Sequence, residues 1–339
     1  MTYTRREFLE SASALGAAPL LGYSQLTSAE PPPEVGRIRI VKVPAICMAP
    51  EYLAEELLKL EGFTHVEFPD LNKLDTDSML LADSADISVA TPVDLLPLWD
   101  SSAGKEIVAL APIHGGCYEL FGRGPLQSVR DLKGRRVAVE STSLSSHNTA
   151  YYYVSSIAAY IGLDPRKDIK WVEGKSFAGT MQLFVDGKAD AFLAFPPQPQ
   201  QLREKKIGRV ILNTSVDRPW DQYTCCYISM RREFSAKYPV ATKRAVRAIL
   251  KAADMCVNEP ERAARYIVAK GYEQRYEVAL EVVKSLSYGR WRTHDPDDSF
   301  RFHGLRLHEV GLVKTPPNKL IAKGTDWRFL NELKRELKA

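Results

Sequence analysis

The sequence predicts an α/β protein made of two similar lobes, each a mainly parallel sheet covered by helices, with a hinge and a cleft between them. Three observations carry this. A strand, a loop, a helix and a second strand occur in that order twice. The first copy runs over Ile38–Val43, Pro44–Pro50, Glu51–Glu61 and His65–Phe68. The second runs over Arg136–Val139, Ser141–Ser146, a Tyr- and Ala-rich stretch to Ile161, and Ile169–Val172. Each helix is broken by a glycine, Gly62 and Gly162, 100 residues apart. Finally, Ala85–Pro92 matches Ala189–Pro196 at an offset of 104, the extra four residues falling in the longer linker Asp164–Asp168. Two long copies do not make a solenoid; they make paired α/β units. Ligands bind such sheets beyond the carboxyl ends of their strands, so two lobes turned toward each other enclose a site.

Composition is compatible with this. At 339 residues the chain can bury two cores, and its 45% hydrophobic and 26% charged content is ordinary for a globular protein. A net charge of +4 without a basic run interleaved with aromatics argues against nucleic acid as a partner. No apolar stretch is long enough to span a membrane.

At the N-terminus, Thr4-Arg5-Arg6-Glu7-Phe8-Leu9 is similar to a twin-arginine export signal, with Glu10 where that pattern usually has Lys. An Ala-rich segment from Ala12 to Leu26 and the small residues Thr27-Ser28-Ala29 complete it, so residues 1–29 are expected to be a signal peptide and the mature protein periplasmic.

Past Pro31-Pro32-Pro33, the strand at Ile38–Val43 opens lobe 1. Pro50 suits a helix start, and Glu51 in the first turn would complement the helix dipole. Leu53, Leu57, Leu58 and Leu60 supply helical periodicity. A short helix near Asp75–Leu81, the strand Asp86–Ala90, a helix over Val93–Trp99 and the strand Ile107–Pro112 follow. Gly115-Gly116 and the stretch Tyr118–Phe121 read as the crossing into lobe 2. Ser128–Gly134 is a single helical turn opening that lobe, which continues through Ala189–Phe195, helix Gln198–Lys206 and strand Val210–Asn213. Tyr223–Met230 is the return strand. The expected division is therefore 36–118 plus 226–339 for lobe 1 and 119–225 for lobe 2. Beyond Arg231 the pattern is mostly helical, with helices over Val240–Val257, Pro260–Ala269, Glu273–Leu286, Ser299–Glu309 and Asp326–Leu337. Lys243, Arg244, Arg247 and Lys251 line one face of the first, either as a solvated face or as a docking surface for an acidic partner.

The hydroxyl-rich run before the second copy's helix is the best site candidate. A helix N-terminus offers unpaired N–H groups and partial positive charge, and Ser143, Ser145, Ser146 and His147 add side-chain donors. Simple capping of the helix accounts for the same serines. Facing this run should be Thr91 at a strand end, Phe195 as an apolar wall, and Ile46 and Cys47 in the loop Pro44–Met48. His114 and Trp220 lie near the two crossings and join the candidate ligand-binding set, although Trp220 could equally cover the lobe junction.

The five cysteines, Cys47, Cys117, Cys225, Cys226 and Cys256, form no disulfide framework and read as buried thiols. Cys225 and Cys226 should alternate across a strand. None of the six histidines has metal-motif spacing, His303 and His308 being placed on a surface helix, and no nucleophile elbow or phosphate loop occurs. No catalytic residue, metal or cofactor is therefore expected.

Three segments carry a family resemblance: Ala49–Glu56, Asp131–Val139 and Ala189–Pro197. With them the chain resembles the extracytoplasmic substrate-binding proteins of ABC transporters, in the NMT1/THI5-like group related to nitrate-, sulfonate- and taurine-binding proteins. The resemblance implies a type II periplasmic-binding-protein fold and a monomeric receptor that closes on a small organic ligand, anionic or aromatic, and delivers it to a membrane permease. It also implies ligand contacts at Pro44–Met48, Thr91, the serine-rich helix start and Phe195-Pro196. Cys47 and Phe195 replace more polar or indolic residues of sulfonate binders, which argues against a small inorganic anion such as nitrate. Two other roles share the resemblance: a pyrimidine synthase of the THI5 kind, and a sensory binding module.

Overall fold

The two copies of the repeat fold to one strand order. A computed structural model describes residues 30–71, 75–101, 106–143 and 148–338; the signal-like segment 1–29 lies outside them. In the first copy β1 (Arg37–Arg39) pairs in parallel with β2 (His65–Glu67), and the bridge Ile40–Ile87 joins it to β3 (Ile87–Ala90). β4 (Ile107–Gly115) follows in sequence. In the second copy β5 (Glu119–Gly122), β6 (Arg136–Val139), β7 (Lys170–Glu173), β8 (Ala191–Ala194) and β9 (Arg209–Asn213) form a sheet in the order β7-β6-β8-β5-β9. The return strand β10 (Thr224–Arg231) runs antiparallel between β3 and β4, as β5 does between β8 and β9. Reading β2-β1-β3-β10-β4 against β7-β6-β8-β5-β9, each antiparallel strand occupies the same place and arrives from the other half of the chain. That exchange ties the two sheets together through two crossings, 115–119 and 213–224.

Side chains repeat as well. Arg39 donates from its backbone N and Nε to Asp86 Oδ2 at 2.8 and 3.1 Å, and from Nη2 to Oδ1 at 2.8 Å. Arg136 does the same to Asp190, at 2.9, 3.2 and 2.7 Å. Arg39 ends β1 and Arg136 begins β6, while each aspartate immediately precedes its copy's third strand, so in each half a bidentate pair ties the first strand to the third. Gly62 and Gly162 both end their helices at positive φ, +101° and +85°, where a side chain would be strained.

The helices covering the sheets are α1 (Ala49–Leu60), α2 (Thr76–Leu81), α3 (Pro92–Asp100), α4 (Thr149–Tyr160), α5 (Phe177–Val185) and α6 (Gln198–Glu204). A C-terminal set follows: α7 (Arg232–Lys237), α8 (Pro239–Asn258), α9 (Pro260–Ala269), α10 (Tyr276–Ser285), α11 (Asp298–Glu309), α12 (Pro317–Gly324) and α13 (Arg328–Glu336). Sequence periodicity missed α12, which starts behind Pro316-Pro317 with proline in its first turn. Among the described residues, no helix is long and apolar enough to cross a membrane.

Three local expectations change. The basic face of α8 is no docking surface: Arg247 Nε donates to Glu61 Oε1 at 2.9 Å, Lys251 pairs with Glu61 at 3.5 Å, and Lys243 pairs with Glu332 at 3.2 Å. These partners stand at the C-terminal end of α1 and on α13, so the charges tie three helices together. Glu51 does not meet water at the helix start: it is buried with neither carboxylate oxygen hydrogen-bonded, and burial raises its pKa well above the usual carboxylate range.

His303 is fully buried on the inner face of α11, its Nδ1 2.8 Å from Ser156 Oγ on α4. Burial lowers its pKa from 6.5 to about 3, so the folded protein holds it neutral while the unfolded chain protonates it. Below pH 6.5 the unfolded state therefore binds the extra proton. Stability should hold above that value and fall by up to about 1.4 kcal/mol per pH unit on acidification. The fall should continue until pH nears the folded value of about 3. His303→Gln should flatten this limb in urea titrations between the two values; an unchanged slope would assign the acid sensitivity to other groups.

Candidate functional site

Both sheets end on one cavity. The loops leaving β1, β2 and β3 meet those leaving β6, β7 and β8 around a cleft of about 590 Å³. From the first copy come Val43, Ala45, Cys47 and Met48 after β1, Leu71, Asp75 and Thr76 after β2, and Thr91 and Asp94 after β3. From the second come Glu140, Ser141, Asn148 and Thr149 after β6, Glu173, Lys175, Ser176 and Phe177 after β7, and Phe195 after β8. Tyr118 and Cys226 close the back, next to the crossings.

One wall is aromatic. Phe195 meets Phe177 edge to face at 5.2 Å and Tyr118 at 6.4 Å, and Tyr118 in turn packs on Tyr153 at 4.9 Å. The polar side is acidic: among the described lining residues four carboxylates, Asp75, Asp94, Glu140 and Glu173, stand against one cation, Lys175. Asp94 is the central acceptor. It takes the Thr91 hydroxyl at 2.6 Å on Oδ2 and, from across the cleft, the Thr149 hydroxyl at 2.9 Å on both oxygens. Ile46 N also reaches across, to Pro196 O at 3.3 Å. Glu173 Oε1 accepts from Thr142 N and Oγ1 at 2.8 and 2.6 Å, and Asp75 caps α2 through Ser78 N at 2.7 Å.

Of the residues singled out in the sequence, Cys47, Thr91 and Phe195 line the cleft. Ser143 is not among the lining residues and bonds through its backbone N to the Oγ of one that is, Ser141, at 3.1 Å. Ile46 and Trp220 are buried outside the lining, Trp220 packing on Tyr160 at 5.3 Å as a junction cover. Ser145, Ser146 and His147 lie outside the described residues. The loop 173–177 was missed, although the repeat points to it as the counterpart of the loop after β2.

Behind Cys47 and Cys226 the crossings bring thiols and an imidazole together. A ring nitrogen of His114 and the sulfurs of Cys117, Cys225 and Cys226 all lie within 4.8 Å of one another, every residue buried. Cys117 and Cys225 sulfurs are 3.3 Å apart, and those of Cys225 and Cys226 3.6 Å, so all are free thiols. Alternation across the strand fails here because the β10–β4 register shifts at Cys226, a bulge that turns both neighbouring thiols inward. Hydrogen bonding with Cys117 and Cys225, aided by His114, pulls the Cys226 thiol well below its ordinary range. Burial would lower His114, but Cys226 and Cys47 reverse this and raise it. Burial also raises the Tyr118 phenol.

The sequence comparisons agree with this architecture. Residues 125–271 match the NMT1-like family. The resemblance to NMT1/THI5-like substrate-binding proteins therefore stands, carried by the segment that includes the second sheet and the return strand. No curated protein matches this chain. Among solved structures, the periplasmic nitrate-binding protein NrtA from Synechocystis superposes with a TM-score of 0.75 at 16% identity, covering 91% of this chain and 90% of that one. The alkanesulfonate-binding protein SsuA from Xanthomonas axonopodis, bound to MOPS, gives 0.69 at 15%, covering 88% and 100%. The desulfurization enzyme DSZB gives 0.60 at 14%, covering 89% and 99%. At these identities the likeness is one of fold, and the fold is the two-lobe periplasmic-binding-protein type.

Proposed function

We propose that this chain is the periplasmic receptor of an ABC importer, exported by the twin-arginine signal at 1–29, acting as a monomer and delivering its ligand to a membrane permease. Lobe 1 comprises 36–118 plus 226–339 and lobe 2 comprises 119–225, and the lobes close on the ligand by a hinge motion at 115–119 and 213–224. The ligand is a flat, nitrogen-bearing aromatic of pyrimidine type rather than a sulfonate or carboxylate. The observation that carries this is the cleft's pairing of an aromatic wall, Tyr118, Phe177 and Phe195, with four carboxylates that would accept N–H donors and repel an anion.

A calorimetric screen of aminopyrimidines, sulfonates and carboxylates against the chain from residue 30 onward is the test, and binding confined to sulfonates or carboxylates would overturn the ligand assignment. Phe195→Ala should weaken pyrimidine binding about 5- to 10-fold, the loss of one aromatic contact of about 1 kcal/mol. Lys175→Gln should leave it within about 3-fold; a larger loss would mean that an anionic group is being held. An enzyme on this fold is the second reading, favoured by the thiols of Cys47 and Cys226 opening on the cleft wall. Chemical conversion of a bound pyrimidine on incubation, lost in Cys47→Ser, would establish it.

A further inference from the structure

The geometry points to a buried metal site at the hinge, in which Cys117, Cys225, Cys226 and His114 bind one thiophilic dication of the zinc class. Three sulfurs and one imidazole nitrogen already converge within 4.8 Å. In a tetrahedral site with Zn–S near 2.3 Å, sulfurs stand about 3.8 Å apart. The observed 3.3 and 3.6 Å spacings need open by only a few tenths of an ångström. The imidazole is prepared for the role. His114 Nδ1 lies 2.6 Å from its neighbour's carbonyl, Gly115 O, which accepts the ring N–H. Nε2 is then the ring nitrogen open to a metal once its proton is displaced, and it is buried without a hydrogen-bond partner in a residue only 2% exposed. An edge contact from Tyr288 at 5.5 Å holds the ring.

Charge selects the ion. Three thiolates and a neutral imidazole around a dication leave a net charge of −1, whereas a monovalent copper ion would leave −2 in a pocket walled by apolar residues. Binding releases three protons from the cluster to solvent and changes no oxidation state. The placement gives the ion a structural consequence. His114 is the penultimate residue of β4, Cys117 lies on the first crossing, and Cys225 and Cys226 are the second and third residues of β10 after the second. One ion would clamp both crossings, with Cys226 also forming part of the cleft wall. None of this depends on the identity of the cleft's ligand.

The test uses the reduced, demetallated chain from residue 30 onward, titrated anaerobically with Zn²⁺ against a chromophoric chelator, and with Co²⁺ for spectra. One equivalent should bind, with thiolate-to-cobalt charge-transfer bands and intense tetrahedral d–d bands. Cys117→Ser and Cys225→Ser should each weaken binding by more than the roughly 100-fold that loss of an outer-sphere partner costs. Cys256→Ser, a buried thiol outside the cluster, should leave it unchanged. X-ray absorption on the unmutated zinc-loaded protein, which needs no variant to fold, should show three sulfurs and one nitrogen. A shell of nitrogen and oxygen only, or equal binding by Cys225→Ser and the parent chain, would overturn the assignment.

Discussion

Replacing Asp94 by alanine should weaken ligand binding by about 10- to 100-fold, the loss of a charge-assisted hydrogen bond of roughly 1.5–3 kcal/mol. Asp94 starts from the first copy of the repeat, in α3, yet its carboxylate receives Thr149 from the first turn of α4 in the second. Removing it takes away the carboxylate that the Thr91 and Thr149 hydroxyls share, and the closed arrangement loses a polar link across the cleft. A ligand then has to supply the energy of closure itself, so affinity falls by the shift in that equilibrium. Asp94→Asn retains an acceptor and should recover part of the loss. Calorimetry on the two variants checks this. Equal affinities for Asp94→Ala and the parent chain would mean that the cleft closes without this contact.

Gly116→Ala should destabilise the fold by about 3 kcal/mol, at the upper end of what overpacking costs. A methyl group placed there would sit 2.1 Å from the carbonyl oxygen of Thr214 on the other crossing. The obstacle is backbone, and it is anchored. Thr214 N donates to Tyr118 O at 2.9 Å, Tyr118 N donates to Thr214 Oγ1 at 2.9 Å, and Ser215 Oγ donates to Gly116 O at 2.6 Å. The crossings are thus zipped together at the point where only glycine lets them approach. Thermal and urea unfolding should both register the loss, whereas Gly124→Ala, at a glycine with open space around it, should cost far less. Its positive φ of +59° should account for what remains.

The repeat was legible because it was written in residues with few substitutes. Gly62 and Gly162 end their helices in left-handed backbone, and Asp86 and Asp190, each just before its copy's third strand, answer Arg39 and Arg136. Thr91 and Phe195 could be placed at the cleft because they follow matching strands. The same matching applied to β2 and β7 leads to Glu173, Lys175 and Phe177, which composition alone does not mark. The thiol cluster was beyond reading, since it depends on a bulge in β10 that reverses the alternation its sequence implies. The partners of Lys243, Arg247 and Lys251 were hidden for a related reason: Glu61 and Glu332 are distant in sequence and meet α8 only in the packed protein.

The central claim is that two copies of one α/β unit close across their shared cleft on a pyrimidine-type ligand. Small-angle scattering of the chain from residue 30 onward, without ligand and with the tightest pyrimidine from the screen at saturation, tests it directly. The account predicts a smaller radius of gyration in the bound state, with the contraction diminished in Asp94→Ala. Saturated binding with an unchanged radius and an unchanged maximum dimension would contradict it.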